Sequence, residues 1–166
     1  GDVGENNFEE VNFLPAGTPD IPNFGWGVLE GYSCYDFIPC ESKGMTPPIF
    51  VFDHDMGCSV TGGEVYRGYK YPALLGKYVF GDLCNGRIWA SHRDASGEWI
   101  KNLLADMDED ERVISSFGLD QHGEIYYAEY IRGQIWRIDV EESAEPRPAL
   151  QKRAAKPFPK RIKQTR

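Results

Sequence analysis

The feature that most constrains this chain is that part of it occurs twice. Gly76-Lys77-Tyr78-Val79-Phe80-Gly81-Asp82, followed by Gly86-Arg87-Ile88-Trp89, recurs as Gly123-Glu124-Ile125-Tyr126-Tyr127-Ala128-Glu129, followed by Gly133-Gln134-Ile135-Trp136. The leading glycine and the closing tryptophan are both displaced by 47 residues. Self-similarity at a fixed period marks a stack of supersecondary units, none of which can bury its apolar faces without a neighbour.

The repeated unit is made of strands. Val60–Arg67, Lys77–Gly81, Arg87–His92, Trp99–Leu104, Ile114–Leu119, Glu124–Glu129 and Gln134–Val140 are short runs rich in β-branched and aromatic residues. Gly, Asn and Asp turns separate them. Cys84-Asn85-Gly86 and Asp120-Gln121-His122-Gly123 supply turns in which glycine adopts a positive φ without strain. Short strands at this period predict an all-β chain and the blades of a β-propeller. Residues 49–106 read as one blade and 107–140 as most of the next. Residues 1–48 read as the end of a preceding blade, with a strand at Glu10–Leu14, and then a long Pro/Gly loop. About two blades and the edge of a third cannot close a ring, so the open sides are expected to meet further blades in the same or another chain.

Charge and cysteines narrow the function classes. A formal net charge of -8 over 166 residues argues against a nucleic-acid binder that works through a basic surface. No apolar run approaches the roughly 20 residues of a membrane span. The last 26 residues, 141–166, carry eight Lys/Arg against three Glu, and they read as a basic, proline-containing arm. Cys34, Cys40, Cys58 and Cys84 have no zinc-ligand spacing, so disulfides are expected. Of three possible connectivities the reading pairs Cys34 with Cys40 and Cys58 with Cys84, in an extracellular or periplasmic setting. The chain opens at Gly1 with no leader, so any signal peptide is expected to have been removed or to belong to a longer precursor.

Several motifs carry a more specific resemblance. They are Gly1-Asp2-Val3-Gly4 with Glu9-Glu10-Val11-Asn12, Asn23-Phe24-Gly25-Trp26 with Glu30-Gly31, and Cys58 through Gly68. Tyr78-Val79-Phe80-Gly81-Asp82-Leu83-Cys84 and Ile114-Ser115-Ser116-Phe117-Gly118 continue them. In this order they resemble the second half of the glucose/sorbosone dehydrogenase family. That family includes soluble pyrroloquinoline-quinone (PQQ) sugar dehydrogenases and Hedgehog-interacting-protein-like proteins. The resemblance spans roughly residues 1–140 and implies a six-bladed propeller. For the enzymes it implies oxidation of an aldose by PQQ held on calcium, with a histidine base upstream of the segment matched here.

The resemblance places a calcium contact region at Asp2, Val3, Gly4 and Glu10, where oxygen ligands suit a hard cation. It makes Arg67, Arg87 and Arg112 the candidate partners of PQQ carboxylates. Cys84 stands where the enzymes carry a cofactor lysine, and Arg112 is one arginine where the glucose-oxidising members have two. His54, His92 and His122 fall in turns or at strand ends and read as structural. Asp82 and Glu129 occupy equivalent places and read as turn-capping carboxylates. Trp89 and Trp136 read as inter-blade core, which leaves Trp26 and Tyr32 as the aromatic candidates for ligand contact, with packing within their loop the favoured alternative. Two functions are carried forward. One is a non-catalytic extracellular binding or structural module that recognises a protein in a larger assembly. The other is the C-terminal part of a calcium- and PQQ-dependent aldose dehydrogenase.

Overall fold

In a computed structural model, the structure describes residues 1–37, 39–107, 112–141 and 161–165, with backbone only for the last segment. The described residues form an all-β chain of small antiparallel sheets, without an α-helix. Strands β1 (Phe8–Val11) and β4 (Phe50–Asp53) make one pair, and β2 (Leu29–Glu30) and β3 (Ser33–Cys34) make a short second one. A 3-10 turn at Tyr35–Phe37 follows β3. Then come β5 (Val60–Val65), β6 (Tyr78–Asp82), β7 (Ile88–Arg93) and β8 (Trp99–Ala105), a four-stranded meander in sequence order. The second meander is β9 (Ile114–Leu119), β10 (Ile125–Glu129), β11 (Gln134–Glu141) and β12 (Arg161–Thr165).

The repeat read from the sequence is the β6–β7 and β10–β11 hairpins. Its glycines recur with the same backbone conformation: Gly76 and Gly123 both have φ 77, and Gly86 and Gly133 have φ 65 and 61. These values lie in the left-handed region, which glycine enters without the Cβ penalty. The strand reading differs from the structure in three places. The first strand is Phe8–Val11 rather than Glu10–Leu14. Phe50–Asp53 is an additional strand whose partner is β1, and the next sheet begins at Val60. In the C-terminal arm, Arg161–Thr165 pairs with Arg137–Glu141, while residues 142–160 and 166 lie outside the described residues.

Alternation along each strand sends successive side chains to opposite faces. Val79, Ile88 and Ala90 of the first meander join Ile114, Ile125, Tyr127 and Ile138 of the second in one core. Phe80 and Trp89, on the other face, join Val11 and Phe52 of the β1–β4 pair in another. The β5–β8 sheet is therefore sandwiched. The first strands of the two meanders lie side by side, and Thr61 of β5 donates its hydroxyl to the Ile114 carbonyl of β9 at 3.0 Å. Trp89 and Trp136 both pack toward the preceding sheet, as expected for repeat-equivalent residues.

Equivalent positions on the following face differ. Ile88 is 0% exposed beneath the second meander, whereas Ile135, its repeat equivalent, is 68% exposed. Truncation to alanine should therefore separate the two. Ile88→Ala is expected to cost about 2–5 kcal/mol, and Ile135→Ala to stay within about 0.5 kcal/mol. Urea denaturation of both variants checks this, and equal losses would contradict the sandwich.

Candidate functional site

Carboxylates cluster where β5 begins and β6 ends, and they are engaged by backbone donors. Glu9 accepts the Val60 N–H at 2.6 Å through one oxygen, and its other oxygen lies 3.0 Å from His54 Nε2. Glu10 accepts the Gly31 N–H at 2.6 Å. Asp82 accepts N–H bonds from Cys84 at 2.9 Å, Asn85 at 3.1 Å and Ser59 at 2.8 Å. Glu129 accepts those of Ile131 at 3.0 Å and Arg132 at 2.8 Å. The repeated acid thus caps the equivalent turn in each meander by the same pair of donors, two and three residues on.

The environments move these acids in opposite directions. Burial pushes the Glu9 carboxyl above the usual carboxylate range, against the opposing pull of Val60 N–H and His54. Burial likewise raises Glu10, against the Gly31 N–H. Burial also acts to raise Glu30, but there it is outweighed by the N–H groups of Asn7, Asn6 and Phe8 and the Asn7 side chain. They hold the Glu30 carboxyl down at about 2. One oxygen of Glu30 gathers the Asn6 and Asn7 amides at 2.7 and 2.8 Å, which fixes the loop entering β1.

The sequence-expected calcium residues Asp2, Val3, Gly4 and Glu10 do come together, with Trp26, Leu29 and Glu30, around a cavity of about 10 Å³. Asp2 and Glu10 meet through their main chains, in two hydrogen bonds of 2.9 and 3.0 Å. The oxygens of Glu10 and Glu30 are turned to N–H donors, whereas calcium requires about six to eight oxygens around one point. Among the described residues no group of three or more His, Cys, Asp or Glu side chains is placed to hold a metal ion.

The three expected cofactor arginines are not brought together. Arg87 precedes β7 at the carboxylate end, where it bonds Asp106 at 3.0 Å and the Met56 carbonyl at 2.7 Å. Arg112 lies at the same end, with its guanidinium 4.3 Å from the centre of the Trp136 ring. Arg67 follows β5 at the opposite end, where its backbone packs against Gly123. Arg87 and Arg112 therefore share one end of the strands, and Arg67 lies at the other.

Sequence reading missed the ties between sheets. Glu124, in the turn before β10, accepts the Tyr66 hydroxyl at 2.9 Å and the Lys70 N–H at 3.2 Å, both from the preceding meander. The recurrence of a charged residue at 77 and 124 was the available signal. Outside the repeat, Trp26 and Tyr32 are 64% and 65% exposed. Cys34 is bonded to Cys40 in their loop, and Cys58, just ahead of β5, to Cys84 in the β6–β7 turn, with Cα separations of 5.6 and 5.7 Å.

No protein-family model matches the chain, and no solved structure matches it. Among curated proteins, the chain is similar to the HIPL1 protein of Arabidopsis thaliana, with 33% identity over 104 residues. The match covers 54% of this chain and 14% of that protein, so the chain spans a small part of its relative's length.

The Glu30 anchor has a definite pH signature. Its folded value lies below the ordinary one, so its contribution is present above the usual carboxylate range and is lost as pH falls toward 2. Glu9 and Glu10 act with the opposite sign, stabilising below that range and losing their contribution as pH rises through their raised values. Glu30→Gln should be less stable than the parent by on the order of 1–3 kcal/mol at neutral pH, with the gap closing near pH 2. Denaturant titrations at both pH values test this, and a constant gap would refute the anchor.

Proposed function

We propose that the chain is a segment of an extracellular β-propeller that serves as a non-catalytic binding or structural module within a larger assembly. The observation that carries this reading is the contrast between Ile88, covered by a following sheet, and Ile135, its equivalent on a sheet with no following neighbour among the described residues. Further blades, in the same or another polypeptide, would cover that face.

Three further features support it. The first strands β5 and β9 run side by side, as the inner strands of successive blades do. Two disulfides suit an oxidising compartment. Similarity to the Arabidopsis HIPL1 protein agrees with the Hedgehog-interacting-protein-like branch of the resemblance. The non-catalytic part rests on the chemistry of the polar groups. The acids are spent on backbone N–H bonds and Arg67 lies at the opposite strand end from Arg87 and Arg112, which suits holding loops in place better than moving a hydride. Recognition falls to the disulfide-bonded loop carrying Trp26 and Tyr32, where exposed aromatic rings offer contact area to a protein partner.

Native mass spectrometry of the protein purified from its source tests the reading. The expected result is that the 18.8 kDa sequence travels with other chains or within a longer polypeptide. A folded 18.8 kDa species alone would overturn it.

A further inference from the structure

A groove of about 490 Å³ lies between the β1–β4 pair and the β5–β8 sheet, at the strand ends opposite the carboxylates. Val11, Phe13, Val65, Tyr78 and Trp99 give it apolar walls. Three of its lining residues carry buried polar atoms without a hydrogen-bond partner: Asn12 Oδ1, Ser91 Oγ and His92 Nδ1. Ser91 is 1% exposed, so its hydroxyl is hidden from bulk water. Buried polar atoms are nearly always paired in native proteins, and a group of orphans around one cavity points to an absent occupant.

The shape of that occupant follows from β1. In the complete meander β7 is paired on both edges, by β6 and by β8. β1 is paired along one edge by β4; on the other edge Phe8 N–H bonds Glu30 and Glu10 bridges Asp2, and among the described residues no strand pairs beyond that bridge. Gly1-Asp2 stands to β1 as Gly81-Asp82 stands to β7. Asp82 N–H bonds the Arg87 carbonyl just ahead of β7, and Asp2 N–H bonds the carbonyl of Glu10. Alternation turns the main chain of Asn12 to the same edge as that of Glu10. An antiparallel strand continuing back from Asp2 through Gly1 would oppose Asn12 and then Phe13, and so run along the groove.

We infer that this groove is a strand-docking slot, filled by an antiparallel β-strand of the repeat's own kind that pairs with the open edge of β1 beyond the Asp2–Glu10 bridge. The inference rests on the propeller reading, and it adds which edge is completed and by what. Its backbone donors and acceptors would meet the edge of β1 and bring partners to Asn12 and Ser91, while its side chains fill the apolar walls. Among the described residues that line the groove the charged ones are Lys77 and Arg93, both basic. The better match of the chain's two repeat copies is therefore the one carrying Glu124 rather than Lys77.

The test is to extend the full chain ahead of Gly1 with a copy of Gly123–Tyr127 (Gly-Glu-Ile-Tyr-Tyr), beside a scrambled extension of the same composition. Slowing of amide exchange at Asn12 by roughly tenfold or more relative to the scramble, with Tm higher by about 5 °C, is the expected result. Equal exchange and equal Tm for the two extensions would overturn the slot. The chain is also titrated with dodecanoate, a small anionic amphiphile. Micromolar binding that the matched extension leaves unchanged would assign the groove to a small molecule and also overturn the slot, whereas loss of that binding in the matched extension supports it. The two readings fail separately. A native protein found with further blades, combined with no gain from the matched extension, removes the slot and leaves the propeller reading standing.

Discussion

The β5–β8 sheet is apolar on both faces, and the arrangement of the other sheets follows from that. A sheet with one wet face alternates apolar and polar residues, but here neighbouring residues such as Val79 and Phe80, or Ile88 and Trp89, enter two different cores. Burying such a side chain is worth about 1.5–3 kcal/mol. For these four residues the sum is on the order of 6–12 kcal/mol, comparable with the whole stability of a typical domain at about 5–15 kcal/mol. The sheet is thus stable only between two neighbours. The β1–β4 pair supplies one and the second meander the other.

Hydrophobic contact is non-directional, so it does not by itself fix how one sheet sits on the next. Buried acids supply the missing direction. Glu9 reaches from β1 to the Val60 amide, and Glu124 reaches from the turn before β10 to Tyr66 and Lys70. A buried carboxylate is costly unless hydrogen-bonded, so each of these contacts tolerates little sliding between the sheets it joins. The same requirement turns Glu10 toward the Gly31 amide and Glu30 toward the Asn6 and Asn7 amides.

Period and turn chemistry are local, and they were legible in the sequence. The 47-residue displacement located both hairpins, and Ile114–Leu119 was read with the boundaries the structure gives it. The strand Phe8–Val11 was placed two residues late because its buried positions include Glu9 and Glu10, which do not signal a core strand. Their partners, Gly31 and Val60, come from other elements, and nothing in the spacing announces them. The separation of Arg67 from Arg87 follows from topology alone, because in an antiparallel meander a residue just past the first strand and one just before the third lie at opposite ends.

A position inside the β5–β8 meander is bound by two cores and by the capping acids, so a change there is felt by three sheets. The segment between β1 and β4 is tied down differently, through Glu30 and Gly31 to β1. Cys34–Cys40 closes a short ring, and Asp36 sits at φ 53, an unusual conformation for a residue with a side chain. The Tyr35 ring supports Trp26 edge-on, at 5.9 Å between centroids. Keeping two large aromatic rings in water forgoes the burial that stabilises the rest of the chain. The exposure of Trp26 and Tyr32 is thus set by local geometry: the Cys34–Cys40 ring follows them, Tyr35 packs on Trp26, and the Tyr32 hydroxyl donates to the Pro48 carbonyl.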